Sequence, residues 1–388
     1  MFRKPFYLII AVVTIVVGVA IFTYHPISQV HTKWVEENVI SFNELGRNPI
    51  GLAIKGNNLV VLTRQSDLKK PRSLDSIYIY THNGKTWLQQ AELTIPEEKP
   101  REGYGYALSK KTAIDGDTIL IGANIFTRSG DNWSLTTKLQ PPSFDNLGMG
   151  KSIALDGDTA VIGTENATHV YRRNPDTGDW FFEAEVIRGP RLGIDFRPGK
   201  VDIDGDRIVD GFRVYRRNSN NDWLLEAELT LNGKPIRDIL NPRISGNTIV
   251  LGMYTLFTAK DGRGTAHVFE RNPNTGVWEY KTKLVPHDIV PSAIYGFGAS
   301  IAIDDSTIIA GHGFDVRNNL AWALSWFKPK PKGRAYIFVR NKKGRWLYSA
   351  KLRPSNNQPT GGGVFISGNR VIISGKDDKK LYIFRRVD

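Results

Sequence analysis

The sequence predicts an all-β fold: a seven-bladed β-propeller, closed by an N-terminal strand in its last blade and preceded by one transmembrane helix. Three recurring pieces carry that prediction. Seven tryptophans, Trp34, Trp87, Trp133, Trp180, Trp223, Trp278 and Trp346, each open a short alternating stretch, clearest in WLQQAEL, WSLTTKL, WFFEAEV, WLLEAEL and WLYSAKL. Ahead of most of them lies a hairpin-like piece, AIDGDTILIG, ALDGDTAVIG, DIDGDRIVDG, RISGNTIVLG, AIDDSTIIAG or FISGNRVIISG. Between the two comes a third run, YIY, HVYRRN, RVYRRN, HVFERN, YIFVRN or YIFRR. A unit of roughly 45 to 65 residues thus holds four β-rich runs, the content of one blade. Blades stack on one another, so 388 residues read as one repeat domain rather than several.

The first element is the segment from Phe6 to Tyr24, FYLIIAVVTIVVGVAIFTY, which carries no charge and follows Arg3 and Lys4. At about 1.5 Å per residue a helix of this length reaches just under 30 Å, enough to cross a hydrocarbon core. The flanking basic residues predict a cytoplasmic N-terminus with the remainder exported. Residues 1–24 are accordingly read as a signal anchor, 25–31 as a short linker and 32–388 as the propeller of a single-pass membrane protein. Gly18-Val19-Ala20 leaves secretion after cleavage near Ala20 open as the alternative.

Strand counting predicts how the ring closes. The last unit has its inner hairpin, VFISGNRVIISG, and third strand, KLYIFRRVD, but no tryptophan strand of its own. KWVEENVI, residues 33–40, has a tryptophan strand and no blade before it. Pairing the two balances the count and removes an exposed edge. Within a blade, Asp115-Gly116-Asp117, Asp156-Gly157-Asp158 and Asp204-Gly205-Asp206 lie between β-branched runs, as hairpin turns needing positive φ require. HNGKTW, NPDTGDW and NPNTGVW mark the turn from third to fourth strand. The tryptophans are expected to pack between neighbouring blades.

Gly296-Phe297-Gly298-Ala299-Ser300-Ile301-Ala302-Ile303-Asp304, followed by STIIAG, resembles the FG-GAP repeat of integrin α-subunit propellers and their bacterial relatives. GYGYALSKKTAIDGDTILIGAN and LGMGKSIALDGDTAVIGTE are similar, weaker copies. The resemblance spans nearly all of residues 32–388 and implies a seven-bladed propeller used mainly for binding. Repeats of that family often carry a D-x-[DN]-x-[DN]-G-x-x-D calcium loop, and no copy here has it. A DGD turn offers too few oxygens for the roughly six to eight that calcium takes, so turn chemistry is expected and no cofactor, with calcium as the alternative.

Chemistry is sparsely signalled. Cysteine is absent, and the 7 histidines show no metal-ligand spacing. There is no G-x-S-x-G elbow and no P-loop. Glu183 with Glu185, and Glu226 with Glu228, place two carboxylates on one face of a strand by period two, where they read as solvated. Arg172-Arg173, Arg216-Arg217 and Arg385-Arg386 close third strands and read the same way. Asn166-Ala167-Thr168 fits a glycosylation sequon.

Alternating strand direction puts the short DGD and NPDTG turns on one face and the variable connections on the other, where function concentrates. The longest insertion, GHGFDVRNNLAWALSWFKPKPKG in blade six, carries Trp322, Trp326 and Phe327 beside Lys328, Lys330, Lys332 and Arg334. Blade one adds Lys69, Lys70 and Arg72 on the same face. With a net charge of +13, this surface predicts an anionic partner, a glycan or an acidic protein surface, and no nucleic acid. The expected function is a non-enzymatic, membrane-anchored, extracytoplasmic binding or scaffolding propeller, monomeric as a ring. The alternative is a propeller enzyme, a hydrolase or lyase of envelope or extracellular glycans.

Overall fold

The computed structural model describes residues 32–65, 75–95, 111–140, 152–164, 167–187, 200–236, 239–253, 264–284, 286, 296–313, 334–358, 360–375 and 378–387. The apolar segment read above as a membrane anchor, residues 6–24, and Asn166 lie outside these. Among the described residues there is no helix, and none long and apolar enough to cross a membrane.

Seven antiparallel four-stranded sheets form the blades. Blade one holds β2 (Arg47–Lys55), β3 (Asn58–Gln65), β4 (Ser76–His82) and β5 (Trp87–Thr94). Blade two holds β6 (Thr112–Asp115), β7 (Thr118–Ile121), β8 (Asn124–Ser129) and β9 (Asn132–Lys138). In blade three these are β10 (Ser152–Asp156), β11 (Thr159–Gly163), β12 (Ala167–Arg173) and β13 (Trp180–Ile187). Blade four has β14 (Val201–Asp204), β15 (Arg207–Asp210), β16 (Arg213–Arg217) and β17 (Trp223–Glu228), followed by the small hairpin of β18 (Thr230–Leu231) and β19 (Lys234–Pro235). Blade five has β20 (Ile239–Ser245), β21 (Thr248–Met253), β22 (Thr265–Arg271) and β23 (Trp278–Leu284). Blade six has β24 (Gly296–Asp304), β25 (Thr307–Gly313), β26 (Arg334–Arg340) and β27 (Trp346–Leu352). Blade seven takes three strands from the chain's end, β28 (Thr360–Ser367), β29 (Arg370–Gly375) and β30 (Lys380–Val387), and its fourth from the start, β1 (Lys33–Ser41). The closing pair runs antiparallel from Lys33 opposite Val387 to Ser41 opposite Lys380, as the strand count predicts.

Local chemistry explains the blades. Gly116, Gly157 and Gly205 have φ of 52°, 51° and 58°, the left-handed conformation that the hairpin turns require. Second strands such as β7 and β11 are buried throughout, because a blade has a neighbour on each side, and they read as unbroken apolar runs. Seven apolar clusters fill the seven junctions between blades, and each holds the tryptophan of the later blade against the earlier one. Trp87, Trp133 and Trp346 are fully buried there; Trp34, Trp180, Trp223 and Trp278 are partly buried.

The segment Gly296–Asp304 has a physical role at the junction of blades five and six. Phe297 is fully buried, and Gly298, at φ 82°, lies in a bulge between Phe297 and Ser300. Its Cα approaches blade five so closely that an added Cβ would stand 2.7 Å from the Thr265 carbonyl oxygen. Glycine there is a packing requirement.

One regularity escapes an alternating pattern. Each fourth strand has a β-bulge whose extra residue stands three places after the tryptophan: Glu37, Gln90, Thr136, Glu183, Glu226, Lys281 and Ser349. A bulge adds local twist and turns the extra side chain away from its alternating position.

Candidate functional site

Of the residues singled out on the long-loop face, Trp322, Trp326, Phe327, Lys328, Lys330, Lys332, Lys69, Lys70 and Arg72 lie outside the described residues. Arg334 opens β26 and hydrogen-bonds the Tyr336 hydroxyl. Two further cations, not singled out from sequence, gather beside it. The Lys351 ammonium lies 5.5 Å from the centroid of the Tyr336 ring, and burial together with nearby Arg353 lowers its pKa. Third strands start on the long-loop face and fourth strands end there, so blade six places Arg334, Lys351 and Arg353 beside its insertion.

The central channel carries a second constellation. Counting back from the first residue of each hairpin turn, three columns of the inner strands share one orientation, toward the next blade. In the turn column, Asp115 Oδ2 accepts from Gly157 N at 2.8 Å and Asp156 Oδ2 from Gly205 N at 2.7 Å. Asp204 accepts from Gly246 N and Asp304 from Gly368 N. Ser245 Oγ accepts from Asp305 N at 3.1 Å, and Ser367 Oγ from Gly56 N at 2.8 Å. Six of the seven junctions are thereby stitched at the short-turn end. At the remaining one, between blades one and two, the turn residue is Lys55, which cannot accept. Its ammonium instead reaches past blade two to Asp156, 4.0 Å away. Burial, chiefly, raises the Asp156 pKa, with Asp204 and Asp115 adding to it and Lys55 opposing.

Two places earlier stand Ala53, Ala113, Ala154 and Ala302, but Asp202 and Arg243 in blades four and five and Phe365 in blade seven. Asp202 Oδ2 accepts from Ile244 N at 2.9 Å. Its carboxyl is pushed up by burial, against the pull of Arg243. Four places before the turn come Lys111, Ser152, Lys200, Asn241 and Ser300. Ser152 Oγ accepts from Val201 N and Ser300 Oγ from Val364 N, each at 2.9 Å. Lys111, in blade two, is open to solvent yet walled by protein, and burial, with Arg243 second, brings it down to about 8. Blade five is three places from blade two around the ring. The short-turn end thus carries Asp115, Asp156, Asp204 and Asp304 against one lysine; the long-loop end carries Lys111, Lys200 and Arg243 against Asp202.

These columns place charged and hydroxyl side chains on the inner strands. The signal lay in the alignment of the hairpins, where Asp202 and Arg243 are the two charged residues in a column of alanines and one phenylalanine. The solvated reading of the outer carboxylates is corrected. Glu183 and Glu226 are bulge residues, so period two fails at them and they turn into the next junction. Glu183 accepts from Arg217 and from Trp223 Nε1 at 3.2 Å. Glu226 accepts from Trp278 Nε1 at 3.1 Å, Arg271 Nε at 2.9 Å and Arg207 Nε at 3.0 Å. Burial opposes its charge, but these donors outweigh it and hold Glu226 below the ordinary carboxylate range. Arg217 is correspondingly a junction residue rather than a solvated strand end. Glu185 and Glu228 do face outward, paired with His169 and Arg213.

The closing seam has its own charged cleft of about 640 Å³, lined in part by Glu36, Glu37, Lys85, Arg370 and Arg385. Glu37 accepts from Arg370 Nε at 2.9 Å and Arg385 Nε at 3.2 Å. His82 of blade one is buried beside them, its pKa lowered by burial first and by Arg370 second. Among the described residues no group of three or more His, Asp or Glu is placed to hold a metal ion.

No family model matches this chain, and no curated protein matches it. Solved structures do. Sqt1 of Saccharomyces cerevisiae is 10% identical over 93% of this chain and 100% of its own, with a TM-score of 0.44. A "putative 6-phosphogluconolactonase" from Bacteroides uniformis is 11% identical over 78% of this chain and 85% of its own, with a TM-score of 0.47. The blade count stands on the strand order of the seven sheets.

Proposed function

We propose that this chain is a membrane-tethered, extracytoplasmic binding or scaffolding propeller, of the FG-GAP kind, that captures an anionic glycan or an acidic protein surface on its long-loop face. The observation that carries this reading is the separation of charge along the ring axis. Cations collect at the long-loop end of the channel and at the edge of blade six, while carboxylates collect at the opposite mouth. Such a field draws an anion to one face and repels it from the other. β1 is a fourth strand and so starts on the short-turn face, and a tether leading into it would enter from that side. A linker of seven residues reaches about 25 Å at most, so a membrane anchor at 6–24 would leave the long-loop face directed away from the bilayer.

The competing reading, a glycan hydrolase or lyase in the channel, needs titratable groups free to converge on one substrate atom. Asp115, Asp156, Asp202, Asp204 and Asp304 each already accept a backbone N–H of the next blade, which favours a structural duty for them. The test is capture from a glycan array and an envelope extract by the full chain. Neutralising Lys328, Lys330 and Lys332, or replacing Trp322 and Trp326 by alanine, should abolish capture, with a steep salt dependence for the charge set. Capture unchanged by both sets, or turnover of a captured glycan, would sink the reading.

A further inference from the structure

The short-turn face is acidic over much of the ring, but not at the seam between blades seven and one. Blades two, three and four turn on Asp-Gly-Asp, whereas blade one turns on Lys55-Gly56-Asn57 and blade seven on Ser367-Gly368-Asn369. Two turns without a carboxylate are neighbours only here. The seam also breaks a tie that other junctions repeat. Arg217, Arg271 and Arg340, each opposite its blade's tryptophan, pair with a glutamate of the preceding blade, Glu183, Glu226 and Glu270. In blade one that place belongs to His82, opposite Trp87, and its imidazole stops 3.7 Å from Glu37. His82 Nδ1 accepts from Gly84 N at 3.1 Å, so the ring is neutral. A shorter, uncharged side chain stands where the other junctions have a guanidinium, and the cleft of about 640 Å³ opens beside it.

Cations line this cleft in excess. Glu36 is occupied elsewhere, accepting from Ser355 N at 2.9 Å and Ser355 Oγ at 2.8 Å in the connection that leaves blade six. Glu37 is then the one lining carboxylate set against Arg370, Arg385 and Lys85. Arg385 differs from its counterpart in blade four, Arg216, whose Nε donates to Asp206 at 2.9 Å. Blade seven has Asn369 in place of that aspartate, so no turn carboxylate holds Arg385. Among the described residues its terminal nitrogens donate no hydrogen bond, and the exposed Lys85 ammonium has no ion pair.

We propose that the seam cleft binds a phosphate group, seated between the Arg385 guanidinium, the Lys85 ammonium and the Asn369 amide. These donors come from three segments: the third strand and first turn of blade seven, and the last turn of blade one. Donors converging from three directions match a tetrahedral dianion, whose oxygens point apart, better than a planar carboxylate. Arg370, committed to Glu37 at 2.9 Å, offsets the charge of that carboxylate. The cleft is far larger than a phosphate and Val35 is the one apolar side chain in its lining, so the group belongs to a larger hydrophilic molecule, a soluble phosphate ester or a lipid headgroup. The site lies apart from the long-loop face and does not depend on the capture proposed there.

Isothermal titration of the full chain in detergent, at constant ionic strength with chloride as the background anion, tests the site with inorganic phosphate, with glycerol phosphate as a soluble monoester, and with glycerophosphoglycerol as the diester a lipid headgroup presents. Binding of any probe that the variants below weaken supports the site. A preference for the monoester identifies a soluble ester as the source, and a preference for the diester a headgroup. Arg385→Met should lower affinity by about tenfold or more, as loss of a charge-assisted partner implies, and Lys85→Met, at an exposed position, by about threefold. Asn369→Asp is the sharper variant. It restores the turn carboxylate of blades two to four, which should draw in Arg385 as Asp206 holds Arg216, so binding should fall below detection while the melting temperature holds or rises. Because this change adds an ion pair rather than removing one, lost binding cannot be mistaken for lost folding. No binding of any probe by the wild type, or Arg385→Met and Asn369→Asp chains that bind as the wild type does, would overturn the site. Capture by the long-loop face involves none of these residues, so the two readings stand or fall separately.

Discussion

Deleting residues 33–41 removes the strand that completes blade seven, and the cost can be worked from what β1 touches. Eight register pairs join it to β30. At roughly 0.5–1 kcal/mol net for each hydrogen bond on a half-exposed ladder, that pairing alone contributes several kcal/mol. Trp34 packs into the cluster between blades six and seven, and its indole N–H reaches Thr32 Oγ1, itself bonded to Ser349 of blade six. Losing a partly buried tryptophan costs about 2–4 kcal/mol. Without Glu37, the largely buried Arg370 is left without its carboxylate, a further cost of about 1–3 kcal/mol. These terms are not independent, yet together they match the whole stability of a typical domain, about 5–15 kcal/mol. The deleted chain should therefore fail to give a cooperative thermal transition by tryptophan fluorescence. Trp34→Ala and Glu37→Ala should each unfold several degrees below the wild type. A deleted chain that melts at the wild-type temperature would refute the closure and with it the energetic role of β1.

Three more outcomes follow from particular residues. His267 is buried, its pKa lowered to about 4 by burial first and Lys283 second, so the folded state resists a proton that the unfolded chain accepts near 6.5. Stability should be full above pH 6.5 and fall by up to about 3 kcal/mol as pH drops toward 4, a slope that His267→Gln should flatten in acid melts. Lys55→Ser should supply the missing acceptor at the junction of blades one and two and raise stability by up to about 1 kcal/mol, because the exposed Lys55–Asp156 pair it sacrifices is worth little; an unchanged or lower melting temperature would reject this. Gly298→Ala combines a left-handed φ with a clash against the Thr265 carbonyl and should cost about 2 kcal/mol or more, checked by chemical denaturation.

The architecture was legible because repetition supplies its own control. A single WLLEAEL or IDGDR is ambiguous, but seven tryptophans and seven hairpins recurring in the same order fix strand order, turn position and ring closure together. What stayed hidden depends on relations between blades. Nothing local in WFFEAEV announces that Glu183 is the bulge residue, and without the bulge period two assigns it to solvent. The first Asp of each DGD turn was read for its turn chemistry; its use as an acceptor exists only once the neighbouring turn arrives.

The same inter-blade wiring shows where the ring is least tied. Trp223, Trp278 and Trp346 each donate to a glutamate of the preceding blade, Glu183, Glu226 and Glu270. Trp87, Trp133 and Trp180 have buried indole N–H groups with no partner among the described residues, a deficit of about 1–3 kcal/mol each. The bulge residues preceding Trp133 and Trp180 are Gln90 and Thr136, and neither reaches the indole. The junction of blades one and two also lacks the turn link, because of Lys55. It is therefore held chiefly by apolar packing among Leu62, Ile79, Ile114, Ile119 and Trp133, whereas the covalent break at blade seven has a full ladder and the Glu37 pairs. Opening should begin between blades one and two rather than at the termini. Native-state hydrogen exchange decides it: amides of β6 and β7 should exchange through a lower-energy opening than those of β29 and β30. Blade-seven amides exchanging first would place the weak point at the closing seam instead.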